Sequence, residues 1–140
     1  MILTVTASAI GSYVVGSPAS AGITIADDPP LVTLTVADAS ASETGPDTGT
    51  FVIGRSGGNV AQALTVTFDR GGTAIRGTDY DALPALITIA ANASSSSIVI
   101  TPIDDSVVEP VETVDLAVRP SQTYVVVSPG AGTISIADND

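Results

Sequence analysis

From residue 31 onward the chain alternates apolar and polar positions with a period of two, and no stretch repeats at the helical spacing. Leu31-Val32-Thr33-Leu34-Thr35-Val36 reads as a first strand, ended by Ala37-Asp38-Ala39-Ser40. Six more strands are predicted at 49–54, 63–68, 86–89, 96–101, 113–118 and 132–137. Between them lie turn segments such as Glu43-Thr44-Gly45-Pro46-Asp47, Ser56-Gly57-Gly58-Asn59 and Asn92-Ala93, and a Gly-rich loop from Asp69 to Asp81. Seven short strands at turn intervals of roughly 8–15 residues predict an all-β fold, a seven-stranded antiparallel Greek-key β-sandwich of immunoglobulin-like type. Thr, Ser and Asp on one face of each strand suit sheets that are packed on one side and wet on the other. The loops of such a sandwich gather at its two ends, so residues far apart in sequence can converge there.

A second pattern has a longer period. Tyr13-Val14-Val15-Gly16-Ser17-Pro18 returns as Tyr124-Val125-Val126-Val127-Ser128-Pro129, and Gly22-Ile23-Thr24-Ile25-Ala26-Asp27-Asp28 aligns without a gap to Thr133-Ile134-Ser135-Ile136-Ala137-Asp138-Asn139. Both matches fall at an offset of 111 in the numbering, and Leu3 and Val5 land on Val114 and Leu116. Residues 1–28 therefore read as the closing hairpin of a preceding copy of the domain, 29–30 as a stiff double-proline linker, and 31–140 as one complete domain. A hairpin of two strands is marginal alone and needs a surface to cover it. A preceding domain is one source of that surface; a neighbouring subunit in a filament, by strand exchange, is another.

Charge narrows the possible partners. Fifteen acids face only four basic residues, Arg55, Arg70, Arg76 and Arg119, giving a net charge of −11. With no basic stripe to neutralise phosphates, nucleic-acid binding is not expected, nor is attraction to anionic membranes. No run approaches the ~18 apolar residues of a membrane-spanning helix. Cysteine and histidine are absent, which removes disulfides, thiol nucleophiles, His/Cys zinc sites and any catalytic triad. Met1-Ile2-Leu3-Thr4 shows neither a basic nor an apolar leader segment, so an export signal is expected elsewhere in a longer chain. Gly71, Gly72 and Gly77 lack the lysine and following helix of a phosphate cradle. Paired carboxylates can hydrolyse glycosides, but few aromatics are present to stack a sugar, and we expect no enzyme.

The segment Pro102-Ile103-Asp104-Asp105-Ser106-Val107-Val108-Glu109-Pro110-Val111-Glu112 carries four carboxylates and no basic residue at a strand–loop–strand corner. Glu43, Asp79, Asp138 and Asp140 lie on other connections, and Asn139 adds an amide oxygen. An all-oxygen set of this size suits calcium, which takes about 6–8 oxygen ligands. Taken alone, the acidic corner fits a solvated loop equally well. Asp38, Asp47, Asp69 and Asp115 read as ordinary solvated positions.

Three motifs in order then carry a resemblance. Gly72-Thr73-Ala74-Ile75-Arg76-Gly77-Thr78-Asp79-Tyr80, the acidic corner 102–112 and the closing Ile136-Ala137-Asp138-Asn139-Asp140 resemble the signature of the Calx-beta domain, a module of sodium–calcium exchangers and large bacterial surface proteins. The resemblance covers residues 31–140 and implies Ca2+ held by Glu43, Asp79, Asp104, Asp105, Glu109, Glu112, Asp138 and Asp140. It leaves Tyr80, like Tyr13 and Tyr124, to packing. Ser106 and Asn139 stand where acids are frequent in the family, which favours one ion over a larger cluster. It further implies a calcium-binding structural repeat of an exported adhesin, matrix protein or extracellular fibre, found outside the cell or on its surface. The expected partners are neighbouring copies of the domain and a cell-surface or matrix ligand. A regulatory calcium sensor is the alternative.

Overall fold

The computed structural model describes residues 2–8, 11, 14–18, 20–24, 28–45 and 47–140. Eleven strands are present among them: β1 (Ile2–Thr6), β2 (Ser20–Thr24), β3 (Leu31–Asp38), β4 (Ser40–Ser42), β5 (Gly49–Ser56), β6 (Leu64–Gly71), β7 (Leu86–Ile89), β8 (Ser95–Ile100), β9 (Glu112–Val118), β10 (Val125–Val126) and β11 (Ala131–Ala137). One sheet runs β10-β3-β5-β8 and the other β4-β11-β9-β6-β7, while β1 and β2 pair only with each other. The connections from β5 to β6, from β7 to β8 and from β8 to β9 each cross between the sheets, the Greek-key pattern of an immunoglobulin-like sandwich.

The alternation read from the sequence is what fills the space between the sheets. Phe51 and Ile53 of β5, Val66 and Phe68 of β6, Val114 and Leu116 of β9, and Ile134 and Ile136 of β11 are all buried. Residues between them face out, as the period of a strand requires. Arg55 follows Phe51 and Ile53 on the same inward face of β5 and is buried with them.

Two pairings depart from the expected antiparallel arrangement: β10 lies parallel to β3, and β4 parallel to β11. The second follows from a bulge between Val36 and Asp38 at the end of β3. There the Asp38 carboxylate accepts bonds from the Ser40 amide at 3.2 Å and the Ser40 hydroxyl at 3.3 Å. The first strand is thereby broken in two, and its short second half crosses to the other sheet. Beyond the expected end of the first strand, Ser40–Ser42 thus supplies an extra strand, β4, and Val125-Val126 supplies another, β10.

The hairpin at the start of the chain repeats the register of the closing one. Leu3 opposes Ile23 and Val5 opposes Ala21, just as Val114 opposes Ile134 and Leu116 opposes Gly132. Burial differs completely: Leu3, Val5 and Ile23 are 48%, 65% and 64% exposed, against 0% for Val114, 1% for Leu116 and 0% for Ile134. The expected packing of Tyr13, like residues 25–27 of the repeat, lies outside the described residues.

Pairing also fixes the two poles of the sandwich. β5 starts at Gly49 opposite Ile100 and finishes at Ser56 opposite Leu31. The corner 101–111, the loop 72–81, the turn after β4 and residues 138–140 therefore share one pole. The linker at Pro30, the turn 57–63 and the turn 90–94 share the other.

Candidate metal centre

Four connections deliver carboxylates to the first pole, and backbone bonds set each in place. After β4 the chain continues the pairing with β11 for one more residue, the Glu43 amide donating to the Ala137 carbonyl at 3.1 Å. That tucks the Glu43 side chain inside, only 6% exposed. The loop 72–81 is clamped against β9. Gly72, at φ +104°, runs so close to the Thr113 carbonyl that no side chain fits there, and the Ala74 amide donates to that carbonyl at 3.0 Å. The Thr73 and Thr113 hydroxyls each accept the other residue's amide, at 3.0 and 3.2 Å.

Asp79 closes that loop on itself. Its Oδ2 accepts the Ile75 amide at 2.5 Å, and its backbone carbonyl accepts the Ile103 amide at 3.0 Å. The second bond ties the loop to the acidic corner. Tyr80 then packs into the core at 3% exposure, the packing role expected of it.

In the corner itself, Asp105 turns the chain by accepting the Val107 amide at 2.7 Å. Asp138 reaches across to accept the Glu109 amide at 3.1 Å, and Asp104 accepts the Asn139 side-chain amide at 3.1 Å. The eight candidate residues thus fall at one pole, and six of them form two tight groups. Carboxylate oxygens of Glu43, Asp104 and Asp140 lie within 4.8 Å of one another, and so do those of Asp79, Glu109 and Glu112. Asp105 and Asp138 stand outside both groups, yet their charges are felt by Glu43 and Glu109.

Nothing positive balances them. Among the described residues the sole salt bridge is Arg119 to Asp69, a surface pair. Burial, and after it the charges of Asp138, Asp105, Glu109 and Asp104, push the Glu43 carboxyl above its ordinary pKa. Loss of water, then Asp79, Asp105 and Asp138, does the same to Glu109. Glu112 is raised to about 7 by burial, by its hydrogen bond with Asp79, and by the charges of Asp79, Glu109 and Glu43. Glu43 Oε2, Glu112 Oε2 and Asp138 Oδ1 are buried without any hydrogen-bond partner. Buried carboxylate oxygens left unpaired are costly, and a divalent cation is the group that relieves both the desolvation and the repulsion. The donor set is oxygen alone, which fits calcium and excludes the usual zinc ligation.

The remaining acids behave differently. Asp38 makes its local turn, Asp69 pairs with Arg119, and Asp115 of β9 accepts the Thr133 hydroxyl at 2.6 Å. Asp69 and Asp115 sit within strands and not in turns.

Comparison with protein families matches residues 26–140 to the Calx-beta domain. The chain belongs to the Calx-beta domain family. Solved structures agree on the fold. The apo form of the Calx CBD1 domain superposes with a TM-score of 0.65 at 22% identity, covering 81% of this chain and 100% of that one. The calcium binding domain CBD12 of CALX1.1 gives 0.60 at 22% identity over 76% of this chain and 44% of its own length. The Calx CBD2 domain gives 0.54 at 11% identity, covering 76% and 85%. Comparison with curated protein sequences returns no match. A Calx-beta domain is typically a non-catalytic module, and Calx-beta domains bind Ca2+.

Proposed function

We propose that this Calx-beta domain binds calcium at the pole formed by Glu43, Asp79, Asp104, Asp105, Glu109, Glu112, Asp138 and Asp140, with the two acidic groups serving as adjacent subsites. The observation that carries the reading is the buried, partnerless carboxylate oxygens of Glu43, Glu112 and Asp138 in a cluster with no basic residue. The ion's role is structural: it cross-links the turn after β4, the loop 72–81, the acidic corner and the strand-end 138–140. In a tandem array such as the 111-residue repeat supports, that pole adjoins the linker to the next copy, so the bound ion stiffens the junction. Such a module suits an exported adhesin, matrix protein or extracellular fibre. The calorimetric test is calcium titration of the chelator-treated chain. Saturable binding near millimolar calcium, lost in Glu43→Gln with Glu112→Gln, supports the reading; no binding heat up to tens of millimolar overturns it.

A regulatory sensor is favoured by one observation, the fold shared with Calx CBD1 over that domain's entire length. Exposure argues for the structural role instead. Asp104, Asp105 and Asp140 are open to water, which competes for the ion and weakens the site toward the affinities of extracellular modules. Submicromolar affinity in the same titration would select the sensor.

A further inference from the structure

The two arginines around the loop 72–81 are out of keeping with the rest of the charge distribution. Fifteen acids are available in the chain, yet neither Arg70 nor Arg76 pairs with one among the described residues. Instead both turn to the same acceptor. Arg70 Nη1 donates to the Leu83 carbonyl at 2.7 Å and Arg76 Nη1 donates to it at 3.2 Å. Exposed arginines ordinarily spread apart in water, because two guanidiniums side by side repel. Here their approach is imposed by the backbone. Arg70 lies on the face of β6 that carries Leu64, Val66 and Phe68, at the point where the strand outruns the core. Arg76 comes from the loop that the Gly77 amide closes onto the Tyr80 carbonyl at 2.7 Å.

Between them is a cleft of about 290 Å3 lined by Arg70, Gly71, Gly72, Ala74, Arg76 and Tyr80. Small residues keep it open, and at Gly72 the Thr113 carbonyl forbids anything larger. Tyr80 is a buried floor. Burial raises its phenol above the ordinary pKa while the charges of Arg76 and then Arg70 oppose that rise, so both cations act on the floor of the cleft. Each guanidinium has five N–H donors, and only one of each is used on Leu83.

We propose that this cleft is an oxyanion site, taking a carboxylate, sulfate or phosphate group between the free edges of Arg70 and Arg76. Arginine forks match the paired oxygens of such groups, and an anion placed there removes the repulsion between the two cations. The volume lies at the lower end of ligand pockets, so the site holds a charged group with its nearest atoms and not a large cofactor. The inference stands on the arginine geometry alone and does not require the calcium reading.

Titration of the 15N-labelled chain with sodium acetate, sodium sulfate and sodium phosphate, at constant ionic strength made up with chloride, tests it. The expected result is saturable amide shifts centred on Gly71, Gly72, Arg76 and Tyr80 for at least one of the three anions. Arg70→Gln and Arg76→Gln should each weaken binding by about tenfold or more. Arg119→Gln, which removes one positive charge outside the cleft, should leave it within about twofold. Preference for acetate identifies a carboxylate ligand, and preference for sulfate or phosphate a tetrahedral one. Shifts that fail to saturate for all three anions overturn the proposal. So does an Arg119→Gln effect as large as that of Arg70→Gln, which would make the response one of bulk charge. Thermal melts accompany each variant; should Arg70→Gln unfold, Arg76→Gln in the exposed loop decides the outcome.

Discussion

The two poles of the sandwich bury charge in opposite ways. At the linker pole, Arg55 is 7% exposed and forms no salt bridge among the described residues. Its two terminal nitrogens are nonetheless supplied, and only Nε lacks a partner: Nη1 donates to Gln62 O at 2.7 Å, and Nη2 to Ala93 O at 2.7 Å, Val60 O at 3.2 Å and Ala90 O at 3.3 Å. Backbone carbonyls from the turns 57–63 and 90–94 form a ready-made cage, and one cation knits both turns to the sheet. At the acidic pole the positions are reversed. Side chains carry the charge, backbone amides satisfy part of it, and buried oxygens are left over. One pole carries its own cation; the other, on the reading proposed above, takes one from solution. A protein can therefore finish a domain end either with a residue or with an ion, and only the second choice makes stability depend on the surroundings.

That contrast predicts unequal responses. The largest belongs to the arginine pole. Arg55→Met leaves the carbonyls of Gln62, Val60 and Ala93 without their charged donor, and the expected loss is at least about 3 kcal/mol. For a domain of this size that lowers Tm by more than about 10 °C, read by thermal melting, and the drop should be the same with calcium or chelator. A calcium-dependent drop would mean that the poles are not independent.

Next comes the acidic pole. Calcium at a hundredfold excess over Kd should stabilise the chain by about 2.7 kcal/mol relative to chelator. Differential scanning calorimetry checks it; identical melts in both conditions would show that the acidic end, like the other, is complete without an ion.

A smaller effect follows from Glu112. Its carboxyl titrates near 7 in the folded metal-free chain and near the ordinary 4.5 when unfolded. Between those values the folded state holds more protons, so the Glu112 contribution to metal-free stability is fully present below about 4.5 and is lost as pH rises through 7. Glu43 and Glu109, also raised, add in the same direction. Calcium must displace those protons, so its affinity should rise over the same window. Metal-free Glu112→Gln should melt a few degrees above the parent at pH 7 and show a flatter pH profile, whereas Arg55→Met should leave the slope of the profile unchanged.

The smallest effect is expected between the poles. Asp69 and Arg119 pair at 2.6 Å, but their side chains are 62% and 60% exposed. Asp69→Asn should cost less than about 1 kcal/mol, and in high salt nothing measurable by urea melts.

Much of this was legible in the sequence because both periods, two for strands and 111 for the repeat, survive as plain patterns. β7 coincides with its predicted span, five of the other six long strands lie within two residues of theirs at either end, and β6 runs three residues past its predicted end, to Gly71. The short strands β4 and β10 escaped because three and two residues are too few to show alternation, and a bulge, invisible in composition, decides where the first strand crosses over. The convergence of acids at one pole was readable from loop order. Their division into two groups was not, since it depends on how Glu43 and Asp79 are drawn in by the Ala137 and Ile103 backbone groups. Arg55 could have been found: it continues the inward row of Phe51 and Ile53. The meeting of Arg70 and Arg76 on Leu83 had no such signal, because a loop fold brings them together.

The short strand β4 has a further consequence. It belongs to the first part of the domain and runs parallel to β11, the last strand, while β10 runs parallel to β3. Tension along the chain draws the first and last strands in opposite directions along their own axes. Parallel neighbours pulled that way slide past each other, so their cross-strand bonds are loaded together and not unzipped one at a time. Under such a load, two patches only two and three residue pairs long would act as shear pins at the ends of the domain.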